Sequence, residues 1–311
     1  MAGISTERQG AGQAAMSIDV EDWFHVENLK SVIPRAAWDG CELRVERNTM
    51  RIIEILDSCG ARATFFVLGW VVEMCPQLVR TIAAAGHEVA SHGYGHELVY
   101  SLQPSEFRAD IQRSKHHLED LTGKQVRGYR APCFSITDWA VPILQEAGFD
   151  YDSSVVSTVA HDRYGRLDGI NASHAITQLR EGFYEASVSC IRLGRRGLPW
   201  GGGGYFRLVP YWLWRQGVRM ILRSGTPYVF YIHPWEIDPG QPRVEGLGAL
   251  RRFRHRVNLD RCERRFVALL EDFEWMPLCD LIDRWKKNYN SAPQPIPVLT
   301  VGAQASAAHQ F

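Results

Sequence analysis

The sequence predicts a parallel α/β fold of the barrel type. From Met16 onward, short β-rich runs alternate with helical patterns, as successive strand and helix units require. The length, 311 residues, suits one α/β barrel with tails. Roughly six to eight strands can be placed and no internal repeat is evident, which favours an irregular or incomplete barrel over an open sheet.

Residues 16–20 read as the first strand. Apolar residues at helical spacing (Val45, Met50, Ile53, Leu56) predict a helix over 42–58, stopped by Cys59-Gly60. A buried strand follows at 63–68, a helix at 76–85 ending at Gly86, and a strand at 87–91. A helix over 105–121 is read with a Ser105 cap and closed by Gly123; strand 127–130, helix 137–147 before Gly148 and strand 149–153 come next. After Ser154 the rhythm weakens through Gly165, Gly169 and Gly182, with strand-like runs at 182–188 and 191–193. Order returns with Gly201 to Gly204, a helix over 210–223, a strand over 228–232 and a last amphipathic helix over about 260–270. One domain is expected over 16–288, with a C-terminal extension from about 236, between flexible tails at 1–15 and 289–311.

Composition narrows the partners. Lysine plus arginine, 35, equals aspartate plus glutamate, 35, so the chain as a whole shows no electrostatic footprint for nucleic acid or an anionic membrane, and a neutral sugar fits the balance. Seven scattered cysteines with no C-x-x-C pair argue against a zinc ribbon and a disulfide framework and favour a reducing compartment. The first fifteen residues lack the apolar core of a secretory signal, and no stretch approaches the roughly 18 apolar residues of a transmembrane helix. A cytoplasmic protein is expected; its oligomeric state is not legible.

Ionisable residues gather where strands end, on the carboxyl face where reacting groups collect in parallel α/β folds. Asp19, Glu21 and Asp22 follow the first strand, His92 and His96 follow strand 87–91, Arg130 follows 127–130, Asp152 lies in 149–153 and His233 follows 228–232. In Ser91-His92-Gly93-Tyr94-Gly95-His96 the two glycines disfavour a helix, so the histidines sit on a curling loop that can aim both imidazoles at one point. Neutral imidazole suits zinc, cobalt or nickel, and two histidines with one carboxylate leave a position open for water, the catalytic arrangement. The same histidines could be plain loop residues. A carboxylate of the run Asp19 to Asp22, or Asp152, could equally be a helix cap, Arg130 a surface ion pair, His233 a core histidine, and Gly201 to Gly204 a flexible turn.

Taken in order, Ser17-Ile-Asp-Val-Glu-Asp22, His92-Gly-Tyr-Gly-His96, Arg130-Ala-Pro-Cys133, Tyr151-Asp152-Ser153 and Ile232-His233 resemble the motifs of the NodB-homology polysaccharide deacetylases, carbohydrate esterase family 4. The resemblance covers about 16–235. The stretches GGGGYFRLVPY, FYIHPWEIDPGQPR and RFRHRVNL look closer to the deacetylases of exosortase-associated exopolysaccharide gene clusters and extend it to about Trp285. It implies an irregular, seven-stranded (β/α) barrel and a hydrolase that removes N-acetyl groups from amino sugars of a polysaccharide or oligosaccharide. It implies a divalent ion, zinc first with cobalt or nickel as alternatives, on His92, His96 and either Glu21 or Asp22. By the same resemblance Asp19 is the general base, Arg130 orients Asp19, the Cys133 N–H helps hold the oxyanion, His233 is the acid and Asp152 holds His233. Trp200, Tyr205 and Trp235 are candidate sugar-stacking aromatics, with core packing as the other reading.

Three departures stand out. Valine follows Asp19 where the family has a second aspartate, glycine stands at position 93 for serine or threonine, and the Asp152 motif lacks its tryptophan. Two further readings stay open: an amidohydrolase acting on a ureide or cyclic imide, and a non-catalytic carbohydrate-binding protein on a decayed deacetylase.

Overall fold

The computed structural model describes residues 14–156, 164–168, 170, 174–193 and 196–290; nearly all of both expected tails, and Gly169, lie outside them. The first half of the chain runs β1 (Ala14–Val20), α1 (Val45–Ser58), β2 (Thr64–Val67), α2 (Gly69–Met74), α3 (Pro76–Ala84), β3 (Glu88–Ser91) and α4 (Pro104–Thr122). It continues through β4 (Gly128–Tyr129), α5 (Ala140–Glu146), β5 (Tyr151–Asp152), β6 (Ile176–Arg180) and β7 (Phe183–Ala186). A hairpin of β8 (Cys190–Leu193) and β9 (Arg196–Pro199) leads to α6 (Gly203–Leu208), α7 (Tyr211–Arg223) and β10 (Tyr228–Ile232). The chain then closes with α8 (Ala249–Arg256), α9 (Leu259–Asp272) and α10 (Leu278–Asn290).

Eight strands form one curled sheet in the order β10-β1-β2-β3-β4-β5-β7-β6. The seven from β10 to β7 pair in parallel, and β6 adds an antiparallel edge. This is the (β/α) barrel the sequence implies, left open between β10 and β6 in strand pairing among the described residues. Beside β10 the gap is bridged by loop backbone: Ser189 N–H donates to Val229 O at 3.2 Å and Tyr231 N–H to Gly201 O at 2.7 Å. The approach is close enough that a Cβ on Gly202 would stand 1.9 Å from Tyr231 O, so the glycine run is a packing requirement as well as the entry to α6.

β1 is buried along its whole length and lies between β10 and β2, which puts Asp19 deep in the sheet. Alternation sends Met16, Ile18 and Val20 to one face and Ala15, Ser17 and Asp19 to the other. The first face joins the large apolar cluster with Val45, Ile52 and Leu56 of α1 and Val71 of α2. The second shares a smaller cluster with Phe66, Ala90, Tyr151, Val229 and, from α10 and its lead-in, Met276, Leu278, Leu281 and Ile282.

α10 is a helix the periodicity reading did not extend to, because it follows α9 after a short break at Phe273–Pro277. It is tied in by polar contacts as well: Leu278 N–H donates to Thr64 Oγ1 at 2.7 Å, and Arg127 makes a two-pronged pair with Asp283 at 2.9 Å for each bond. Other differences are at element ends. β1 begins at Ala14, two residues into the expected tail. The cap of α4 is Gln103 in a reciprocal arrangement with Glu106, and not Ser105, since Pro104 takes the first helical position where its missing N–H costs nothing.

Gly217, in the interior of α7, sits against the Trp200 indole, which stacks on Trp214 at 4.8 Å. An added Cβ there would lie 2.2 Å from Trp200 Nε1. Helix propensity favours alanine over glycine by about 1 kcal/mol, while overpacking costs about 1–3 kcal/mol. We therefore expect Gly217→Ala to lower stability, by up to about 2 kcal/mol in urea denaturation; a gain in stability would show that this contact is slack.

Candidate active site

The site is assembled from strand ends. His92 follows β3, Arg130 follows β4, Ser153 follows β5, His233 follows β10, and Asp19 with Glu21 close β1. All are buried except His233, whose side chain keeps 16% of its surface exposed and so marks the open side.

The loop from His92 to His96 is shaped by its neighbours. Asp110 of α4 accepts the N–H groups of Tyr94 at 2.8 Å and Gly95 at 3.1 Å, and Gly69 and Trp70 donate their N–H groups to the carbonyls of Gly93 and Tyr94. Gly93 has φ +71° and its Cβ position lies 2.9 Å from Asp110 Oδ2, which leaves no room for the usual serine or threonine. His96 itself takes φ 56°, an uncommon left-handed conformation that turns its ring back toward His92. The two rings lie 5.6 Å apart at 69°.

One donor atom from each of Glu21, His92 and His96 lies within 4.8 Å of the others. Glu21 Oε2 is 2.8 Å from His96 Nε2, yet this buried oxygen receives no hydrogen bond. Two electron-rich atoms brought together without a hydrogen-bond geometry are what a shared cation would satisfy. His92 Nδ1 donates to the Arg130 carbonyl at 2.9 Å, which leaves Nε2 as the atom that could take a metal ion. Burial lowers the His92 pKa to about 4, so the ring is neutral, as a ligand must be. Burial opposes the charge of Glu21, but His96 and His233 beside it hold its carboxyl well below the usual range.

Asp22 does not join this group. Its Oδ1 accepts Trp23 N–H at 2.8 Å and its Oδ2 accepts Arg44 N–H at 2.6 Å and Val45 N–H at 2.8 Å. It caps the turn after β1 and the start of α1, so of the two carboxylates left open by the sequence the geometry selects Glu21. His25, unsuspected from the sequence, reinforces that turn by accepting Asp22 N–H on Nδ1 at 2.9 Å, and its ring is nearly parallel to His96 at 6.5 Å.

Arg130 reaches Asp19 directly. Nη1 donates to Asp19 Oδ1 at 2.7 Å and to Ser17 Oγ at 2.8 Å, while Nε and Nη2 bond the carbonyl and hydroxyl of Ser153. Cys133 stands in the turn right after Arg130 with φ 52°. His233 Nε2 lies 3.0 Å from Glu21 Oε1 and 3.9 Å from Asp19 Oδ2.

The partner expected for His233 is corrected. Asp152 is turned away, its Oδ1 taking the Ser154 hydroxyl while it shares a buried carboxyl pairing with Glu185 across β5 and β7; burial raises both pKa values, that of Asp152 to about 6. His233 Nδ1 instead meets Glu236 Oε1 at 2.8 Å, and Arg207 Nε clamps Glu236 Oε2 at 2.7 Å. Burial disfavours a charged His233, but Glu21 and Glu236 together raise its pKa to about 10. The H-x-x-E spacing of His233 and Glu236, one turn of 3-10 helix, was the available signal in the sequence.

Two aromatic assignments are also corrected. Trp200 is buried against Trp214 and donates its indole N–H to Trp214 O at 2.9 Å. Trp235 is buried between His233 and His255, stacked at 5.2 Å and 4.9 Å, and supports the His233 imidazole from behind. Neither offers a face to a sugar. Tyr205 is half-buried on α6.

Comparison with known proteins divides the chain in two. Residues 37–151 match the family described as polysaccharide deacetylase, and residues 153–283 match a domain of unknown function (DUF3473). The junction falls inside the continuous sheet, at β5, and each half contributes site residues. A peptidoglycan deacetylase-like protein of Gibberella zeae is 35% identical over 34% of this chain and 32% of its own. A peptidoglycan deacetylase of Helicobacter pylori is 31% identical over 34% of this chain and 36% of its own, and a chitooligosaccharide deacetylase of Bradyrhizobium is 31% identical over 27% and 39%. The chain thus spans well under half the length of these curated relatives. A solved Mycobacterium smegmatis structure described as a polysaccharide deacetylase shares the fold, with a TM-score of 0.58 over 97% of this chain and 99% of that one at 20% identity.

Exchanging the two adjacent carboxylates separates ligand from cap. Glu21→Gln is expected to leave the fold intact and to cut bound divalent metal by at least about 10-fold in metal analysis after dialysis. Asp22→Ala should retain metal but lose about 2 kcal/mol or more of stability, because it strips three N–H groups of their acceptor. Metal loss in the second variant alone would reverse the assignment.

Proposed function

Since this chain belongs to the polysaccharide deacetylase family of NodB homology, we propose that it is a metal-dependent N-deacetylase that cleaves acetamido groups of amino sugars in a polysaccharide or oligosaccharide. The observation that carries the reading is the convergence of Glu21, His92, His96, Asp19 and His233 on one buried point with a single partly open edge. Exopolysaccharide is the substrate class we favour, following the sequence likeness of the segments around Gly201 to Gly204 and His233. The second half of the chain completes the site, and we read 16–288 as one catalytic domain. The seven cysteines are free thiols, Cys75 and Cys262 buried. No helix among the described residues is long and apolar enough to cross a membrane.

A set of two imidazoles and one carboxylate suits zinc, with cobalt or nickel as substitutes, and such an ion when bound would supply Lewis acidity toward the acetamide carbonyl and a water molecule. Asp19 has one oxygen fixed by Arg130, and its other faces His233 across 3.9 Å, where it can take a proton from attacking water. Arg130 holds Asp19 in one orientation through a charge-assisted bond. His233, kept protonated by the carboxylates on either side, hands its Nε2 proton to the departing sugar nitrogen. Glu236 orients that ring through Nδ1, the part that the sequence resemblance had given to Asp152. The backbone N–H of Cys133 remains the group we assign to the developing oxyanion. Acetate and a free amine are the products.

Asp19→Asn and His92→Ala should each reduce acetate release from N-acetylglucosamine oligomers by about 100-fold or more; full turnover in either variant would sink the assignment. Glu236→Gln is expected to lower kcat by on the order of 10-fold with little change in KM, since the ring keeps an acceptor but loses the charge that favours its protonated form, and the substrate contacts remain.

A further inference from the structure

Gly93, Tyr94 and Gly95 lie between the two imidazoles, and their backbone is held from outside at every polar group. Gly93 N–H donates to Ser91 Oγ at 3.2 Å, Tyr94 N–H to Asp110 Oδ2 at 2.8 Å and Gly95 N–H to Asp110 Oδ1 at 3.1 Å. On the acceptor side, Gly93 O takes the Gly69 N–H at 2.8 Å, Tyr94 O the Trp70 N–H at 3.0 Å and Gly95 O the Arg35 Nη1 at 2.9 Å. Buried backbone groups need such partners, and here none of them comes from within the three residues. The neighbours impose the shape of this loop.

Asp110 of α4 carries the largest share. Its two oxygens take successive N–H groups, one each, so the peptides on both sides of Tyr94 are turned the same way. Such a pair of N–H groups makes a concavity for an anion, and this chain fills it with its own carboxylate. Among the described residues Asp110 forms no ion pair, and both of its hydrogen bonds go to this loop. One turn further along the same face of α4, the Ser114 hydroxyl meets Ser91 Oγ at 2.9 Å, so the helix is also fixed to the end of β3. A Cβ on Gly93 would stand 2.9 Å from Asp110 Oδ2, at a residue whose φ is +71°. Glycine at 93 and aspartate at 110 are therefore two parts of one arrangement: the carboxylate occupies the space a side chain at 93 would need.

We infer that Asp110 is a positioning residue for the metal site. By fixing the peptides on either side of Tyr94 it sets the turn that leaves His96 at φ 56° and its Nε2 2.8 Å from Glu21 Oε2. Asp110 is not one of the ligands, since both of its oxygens face N–H groups and it lies outside the group of Glu21, His92 and His96. A ligand loop already in its bound shape gives up little conformational entropy when an ion arrives, so the carboxylate raises affinity without contact. The inference rests on the metal reading of those three residues.

Zinc titration of the full chain by calorimetry, with thermal unfolding of the metal-free protein alongside, tests it. Asp110→Ala is expected to weaken zinc binding by about 10- to 100-fold. Asp110→Asn keeps the shape but puts an N–H donor where one loop N–H needs an acceptor; it should weaken binding by roughly 10-fold, and it decides the matter if the alanine variant fails to fold. In both variants the visible spectrum of the cobalt-loaded protein should change, because His96 is no longer held in one orientation, whereas a general loss of stability would leave that spectrum unaltered. Gly93→Ser should also weaken zinc binding. Combined with Asp110→Ala it should cost less than the two single losses multiplied, since both break the same contact. Fully multiplicative losses would overturn the inference. So would Asp110 variants that bind zinc as tightly as a zinc-binding wild type and give its cobalt spectrum, and that result would leave the metal reading standing. Wild-type protein that takes up no zinc would overturn the metal reading and this inference with it.

Discussion

A guanidinium with no access to solvent organises the carboxyl end of this sheet. Arg130 is fully buried, and removing such a charge from water costs several kcal/mol unless geometry and hydrogen bonding repay it. The repayment comes from three strands: Ser17 and Asp19 on β1, the Ser153 carbonyl and hydroxyl after β5, and the Phe66 ring on β2, whose face lies 4.2 Å from the guanidinium carbon. The same residue's carbonyl accepts from His92 and so sets which nitrogen that ring presents. Asp19, His92 and the sheet register are thereby coupled through one residue. Loss of either partner of the Arg130–Asp19 pair would strand a buried charge at a cost of about 3–5 kcal/mol.

The opposite wall repeats the device with residues from the second half of the chain. Arg207 is nearly as buried, and it donates to Glu236 and to the carbonyls of Arg254, His255 and Val257 at the end of α8. Glu236 in turn holds His233, whose ring rests on Trp235 and, behind it, His255. The segment of unknown function therefore anchors the imidazole that faces Glu21 and Asp19. Asp152, freed from that duty, works on the Arg130 side: Ser154, which it accepts from, receives Ala131 N–H at 2.8 Å and steadies the Arg130–Pro132 turn.

The pattern of buried strands and capped helices was legible because period and turn chemistry are local properties, and most strands fall within a residue or two of their expected positions. What escaped was nonlocal. α10 carries Leu278, Leu281, Ile282 and Trp285 at helical spacing, but that these residues pack against a sheet assembled from residues far away in sequence is visible only in the folded chain. Trp200 and Trp235 are aromatic residues beside motif residues, and whether such a ring is a platform or a core side chain depends on what covers it.

His92, His96, Asp19, Arg130 and His233 could be named from residue type, order and strand-end position, because glycine-permitted turns and carboxyl-end loops constrain where such groups point. The choice between Glu21 and Asp22, adjacent and chemically alike, could not. It was made by the N–H groups of Arg44 and Val45, more than twenty residues on, which claim the Asp22 carboxylate and leave that of Glu21 facing the histidines. Glu236 in place of Asp152 has the same origin: a carboxylate serves whichever donor the folded chain sets beside it, and that neighbour is a property of packing, not of the motif.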